Sequence, residues 1–136
     1  MAAATKDREA KRQDGTLKAE PMAVAKVFKG TLVNHNAAGY AAPAGANANE
    51  TFAGVAYEAA DNTGGAVGDK KVRVEKVGEY EFVAAGIVQA DVGKEVYVTD
   101  DQTVQIAAPA NAIKCGVISE YVSATRVRIR IDNYAR

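Results

Sequence analysis

Few side chains in this sequence can do chemistry. It holds one histidine, His35, and one cysteine, Cys115. A cysteine nucleophile needs an imidazole base within hydrogen-bond reach, and these two make the single such pair on offer. Cys115 alternates with Val117, so it is expected to point into the core as an inert thiol. His35 stands between Asn34 and Asn36 in a turn-like stretch and reads as a surface residue. One histidine, one cysteine and carboxylates have no zinc-ligand spacing here. The run Gly64-Gly65-Ala66-Val67-Gly68-Asp69-Lys70-Lys71 resembles a phosphate loop only in outline. Asp69 replaces the second glycine, Lys71 replaces the hydroxyl, and a strand rather than a helix follows. An aspartate there would repel a phosphate, so the run is a turn. Asp91, Glu95, Asp100 and Asp101 lack the spacing of a calcium loop, and Asp is at home in turns. Asn49-Glu50-Thr51 matches a glycosylation sequon, without a leader to give it meaning. No acid–base or nucleophile set emerges, and the expectation is a protein that is not an enzyme and uses no metal or cofactor.

Two charged features remain. Arg126, Arg128 and Arg130 alternate along the last strand, about 7 Å apart on its outward face. One reading pairs them with Glu79, Glu81 or Glu120 on a neighbouring strand. Another makes them a contact for an acidic protein partner or a subunit interface, since Arg suits bidentate carboxylate pairing. A third is nucleic acid, which wants interleaved exposed aromatics that the row lacks. The other feature is the N-terminus. Ala2–Glu20 carries Lys6, Asp7, Arg8, Glu9, Lys11, Arg12, Asp14, Lys18 and Glu20, with Leu17 its one large apolar residue. Its composition permits a helix over Ala2–Gln13, but no apolar stripe would dock one. Residues 1–22 are read as a charged arm, flexible until it meets a partner.

Positioning these features falls to strands. Leu occurs twice and Trp never, while Ala and Val supply about a third of the 136 residues. That composition suits short strands and turns better than helical bundles. The longest apolar run, Phe82–Val88, is too short for a helix to span a bilayer, and Met1–Arg8 has no apolar stretch of a secretory leader. Formal net charge is zero, which removes a bulk attraction for nucleic acid. From residue 23 the pattern has period two. Strands are expected at Val24–Val33 (Gly30 a bulge), Phe52–Glu58, Lys71–Glu75, Glu79–Phe82, Glu95–Thr99, Thr103–Ile106, Lys114–Val122 and Thr125–Ile131. Asn34–Gly39, Ala42–Glu50, Asp61–Lys70 and Asp100–Gln102 read as connections. Residues 23–136 then form one all-β domain, a compact β-sandwich or barrel of jelly-roll-like type, carrying an extended N-terminal arm.

Several stretches together carry a resemblance. They are Thr5-Lys6-Asp7-Arg8 with Arg12-Gln13-Asp14-Gly15; Phe28, Gly30 and Leu32-Val33; Gly39-Tyr40-Ala41; Phe52-Ala53-Gly54-Val55-Ala56; Asp61-Asn62; Gly65-Ala66 with Gly68-Asp69; and Val72 with Val74. Most specific is the block from Ala90-Asp91-Val92-Gly93-Lys94 through Val96-Tyr97-Val98 to Asp100-Asp101-Gln102-Thr103-Val104, followed by Gly116-Val117. The chain resembles the head decoration, or cement, proteins of tailed bacteriophages. The resemblance implies a structural virion protein, made in the host cytoplasm. It would bind the outer surface of the major capsid protein lattice and hold the head against internal DNA pressure. It also implies a homo-dimer or homo-trimer at local symmetry axes, with neither nucleic acid nor membrane as partner. Lys6, Arg8, Lys11 and Arg12 are then expected in the capsid-contacting arm. Two alternatives stay open, another phage module of tail or fibre and a carbohydrate-binding domain. The latter would need an exposed platform from Tyr40, Tyr57, Tyr121 or Tyr134.

Overall fold

A computed structural model describes residues 2–136. The clearest period-two stretches are strands. In Lys71–Glu75 the two valines are fully buried while Lys71 and Arg73 face solvent. Twelve strands follow in chain order: β1 Leu17–Pro21, β2 Lys26–Val27, β3 Leu32–His35, β4 Ala41–Pro43, β5 Thr51–Ala56, β6 Ala60–Asp61, β7 Lys71–Glu75, β8 Glu79–Val83, β9 Glu95–Val98, β10 Val104–Gln105, β11 Lys114–Ser123 and β12 Arg126–Arg130. One 3₁₀ turn, Gln89–Asp91, is the only helical element among the described residues.

The strands build two five-stranded antiparallel sheets, ordered β1-β7-β5-β3-β4 and β10-β9-β11-β12-β8, and a small ribbon of β2 with β6. The protein is thus an all-β sandwich. The chain fills the first sheet with its first half and the second with its second, whereas a jelly roll winds its strands as two Greek keys. In the second sheet, Val83 and Thr103 form a parallel bridge, and the Val83 N–H donates to Gln102 O at 3.1 Å. That bridge brings β8 back beside β10 and curls the sheet into a half-barrel.

Two cores result. Leu32, Phe52 and Val55 of the first sheet meet Phe82, Val96, Val98, Cys115, Ile118, Val127 and Ile129 of the second. On the far face of the first sheet, Met22, Val27, Val33, Ala53, Ala56, Val72 and Val74 form a separate cluster. Burying each large aliphatic side chain is worth roughly 1.5–3 kcal/mol. β5 serves both cores because both its faces are covered, and a bulge shifts its phase so that Phe52 and Val55 share one face: Gly54 pairs with Val33 and Phe52 with Asn34, which leaves Ala53 as the extra residue. Only glycine fits at Gly54, where φ is +141° and a Cβ would lie 2.1 Å from Glu75 O.

The structure corrects four expectations. Val24–Val33 is two strands, broken at Phe28–Thr31, where Gly30 sits at φ +79° in a turn and not in a bulge. His35 ends β3, half-buried, and the turn begins only at Asn36, whose side-chain oxygen accepts from Ala38 and Tyr40 N–H. Ala42–Glu50 is not all loop, because β4 reaches Pro43 and pairs with β3. Residues 17–21, counted with the arm for their charge, are edge strand β1, paired to β7 along its whole length. An edge strand with one solvent-facing side carries charge without penalty, so composition alone does not separate it from an arm.

Candidate functional site

Ahead of β1, residues 2–16 form neither helix nor strand and are exposed. Lys6, Arg8, Lys11 and Arg12 all lie on this segment and are exposed. Its side-chain bonds are local. Arg8 reaches Glu9 O at 3.4 Å, and Asp14 accepts from both the N–H and the hydroxyl of Thr16 at 3.0 Å. Those two bonds hold the Asp14 carboxyl below its ordinary value.

The arginine row lies on β12 as expected. Arg128 is ion-paired with Glu120 of β11, and Arg130 lies 3.5 Å from Glu79 of β8. Both pairings follow the strand register, in which Glu120 and Glu81 flank Arg128 and Glu79 faces Arg130. Arg126 stands opposite Val83, exposed, and has no ion pair among the described residues. The row is therefore a ladder of cross-strand pairs with one open end.

The candidates for bond-making chemistry are kept apart. Cys115 on β11 is fully buried, its thiol donates to Val96 O at 3.7 Å, and burial pushes its pKa up to about 12. His35, on the other sheet, contacts Glu20 and Thr51 instead. Of the four carboxylates considered for calcium, three point to separate partners. Asp91 accepts from Val88 N–H and pairs with Lys94 at 2.8 Å, Glu95 pairs with Lys114 at 3.3 Å, and Asp100 accepts from Gln102 N–H at 2.9 Å. Asp101 gives its main-chain oxygen to Leu32 N–H at 2.7 Å, which ties that turn to the first sheet. The glycine-rich run is a loop knitted by Asn62, whose Nδ2 donates to Ala23 O and Ala66 O at 3.1 and 2.9 Å, and by Asp69, which accepts from Ala66 N–H. No group of three or more His, Cys, Asp and Glu is gathered among the described residues.

Of the four tyrosines considered as a sugar platform, Tyr57 alone is exposed. The Arg73 guanidinium lies 4.9 Å from its ring centroid while forking onto Glu58 at 2.7 and 3.2 Å. Tyr57 borders an open cleft of about 560 Å³ with Lys29, Glu58, Glu75 and Tyr80. Two of its carboxylates are already engaged, Glu58 by Arg73 and Glu75 by Tyr80. The Tyr80 hydroxyl is bonded to Glu75, and burial together with that carboxylate raises the Tyr80 pKa.

One cluster escaped sequence reasoning. Glu20 of β1 and Lys76, just past β7, are both buried and 2.9 Å apart. His35 Nε2 stands 3.2 Å from the other Glu20 oxygen, and its Nδ1 is 3.4 Å from the Thr51 hydroxyl. The Lys76 ammonium also donates to Ala53 O at 2.7 Å and Arg136 O at 2.9 Å, so its three protons are all used. Burial pushes the Glu20 carboxyl up, but Lys76 and His35 together outweigh it and leave it below its ordinary value. Burial lowers the Lys76 pKa against the opposing pull of Glu20. The partners are separated by 56 and 15 residues, so no local pattern announces them.

Comparison with protein-family models, with curated proteins and with solved structures finds no match to this chain. The fold defines a class: an all-β sandwich whose edge strand β1, preceded by an exposed segment, is pinned by a buried ion cluster.

Proposed function

We propose that this is a capsid decoration protein of a tailed phage, a structural component that binds the outside of the major capsid protein lattice and braces the head against DNA pressure. The reading rests first on the resemblance of the Ala90–Val104 block and its flanks to head cement proteins. The observation that carries it further is the exposed segment 2–16, with Lys6, Arg8, Lys11 and Arg12, issuing from a sheet edge. Fully extended, its fifteen residues reach about 50 Å, beyond the width of a domain this size. Such a segment can lie across a neighbouring subunit, and repetition on a lattice turns modest single contacts into stable occupancy. Arg126, the open end of the arginine row, is a second contact candidate, to a subunit or to the capsid. Arg128 and Arg130 are engaged in their own sheet. The protein acts as a homo-oligomer in this reading, without enzymatic activity.

The test is co-sedimentation with expanded, undecorated heads of the parent phage, followed by electron microscopy. Saturable, symmetric density on the outer surface is expected. Folded protein that fails to bind at micromolar concentration overturns the reading and turns attention to tail or glycan partners.

A further inference from the structure

Strand β1 is held by little besides one side chain. Its single strand neighbour is β7. Leu17, Lys18 and Ala19 face solvent, Pro21 is half-buried, and Glu20 is the one side chain it buries. Lys76 N–H donates to Thr16 O and Met22 N–H to Lys70 O, both at 2.9 Å. These two bonds set the phase of the ladder: even-numbered residues bond to β7, while the Leu17 and Ala19 N–H groups point away from it. Apolar burial thus contributes almost nothing to docking. The ladder and the Glu20 carboxylate do the holding.

We propose that Glu20, Lys76 and His35 form a charge latch that releases β1 from β7 together with the arm, while the rest of both sheets stays folded. The groups facing Glu20 come from several elements. Lys76 follows β7, His35 belongs to β3, and Lys18 of β1 itself lies near enough to Lys76 to oppose its charge. The main-chain oxygen of Arg136 completes the socket, beside the neutral Ala53 O of β5 and the Thr51 hydroxyl. Neutralising Glu20 removes the only carboxylate side chain bonded to Lys76 and leaves a buried cation short of its counter-charge. The sign of the pH response follows. Because the Glu20 carboxyl lies below its ordinary 4.5 in the folded chain, its stabilisation is complete above that pH. It is lost as the pH falls through the lower, folded-state value. Release adds five residues, 17–21, to the free segment, about 17 Å of reach, and uncovers the edge of β7 for another strand. That use rests on the arm's being a binding element; the latch itself is a property of the isolated chain.

Amide hydrogen exchange tests it. In Glu20→Gln at pH 7, the amides of Lys18, Val72 and Val74 are expected to exchange at least tenfold faster, with those of β11 and β12 within twofold of the unaltered protein. Ala19→Cys with Arg73→Cys, a directly opposed pair, adds a cross-strand disulfide to that variant and is expected to restore slow exchange. Unchanged β1 amides, or acceleration spread over both sheets, overturns the latch. Should Glu20→Gln not fold, the unaltered protein is followed as the pH is lowered from 7 to 3. β1 opening ahead of β11 and β12 supports the proposal, and simultaneous loss overturns it. None of these measurements uses capsids, so a failure to bind heads and a failure of the latch are read separately.

Discussion

At Gly54 the backbone of β5 comes so close to β7 that a single methyl group has nowhere to go. Gly54→Ala places a Cβ 2.1 Å from Glu75 O and 2.8 Å from a Val74 methyl, at a φ that L-residues avoid. A loss of about 2–4 kcal/mol is expected from strain and displacement together, read as a lower urea midpoint. Cys115 gives a second residue-scale prediction. With its pKa pushed up to about 12 by burial, almost no thiolate exists at pH 8. Iodoacetamide is expected to leave the native protein unmodified and to label it fully in denaturant; rapid native labelling would contradict the buried placement. Burial of Cys115 is expected from its alternation with Val117, but that reason fails: Val117 is only half-buried, and a bulge between Lys114 and Gly116 lets Cys115 and Ile118 share the core instead. The role of Glu20 was not legible. A glutamate between Ala19 and Pro21 looks like any other charge of the N-terminal segment until β3 and the residue after β7 are brought against it.

Among the elements, legibility followed exposure. β7, β8, β9 and β12 each have one solvent face, so their apolar residues alternate and the strands declare themselves. β3 and β5 are covered on both faces, Leu32-Val33-Asn34 and Phe52 through Ala56 being buried without interruption, so their period disappears. Asn34, fully buried with its amide on Gly45 O at 3.0 Å, looks in sequence like the start of a turn. The arginine row was visible as a row, while its partners depended on a register only the folded sheet supplies. The boundary of the arm is an element-scale matter with a direct check. Deleting residues 2–14 is expected to leave stability within about 0.5 kcal/mol, because that segment is exposed throughout. Deleting 2–20 removes β1 and strands Lys76 as a buried cation, a loss of about 3–5 kcal/mol. Thermal unfolding of the two truncations distinguishes them, and equal melting temperatures would contradict the assignment of β1. In the decoration reading, both truncations weaken head binding more than tenfold.

For the whole molecule, the division of labour along the chain matters most. The first half builds one sheet and the second half the other, yet Leu32, Phe52 and Val55 complete the core that the second sheet needs. Residues 77–136 expressed alone are therefore expected to show neither near-ultraviolet dichroism nor a cooperative thermal transition. At neutral pH the full chain is expected to unfold in one cooperative step. A cooperative transition in the fragment would mean that the half-barrel supports itself. The sandwich class was readable from Val-rich alternation, but this division was not, because strand order is set by long-range pairing that periodicity does not encode.

Lys76 also has a topological consequence. Its main-chain N–H binds Thr16 and its ammonium binds Arg136, so the beginning of the first strand and the last residue of the sequence meet at a single lysine. Thr16 and Arg136 are thereby held close together in space. A permutant that joins Arg136 to Thr16 through a short glycine–serine linker and opens at the exposed Gly64–Gly65 loop is expected to keep the parent's circular dichroism spectrum. Its new ends would emerge at the β2–β6 ribbon, which would let a fused peptide be displayed from a site other than the arm.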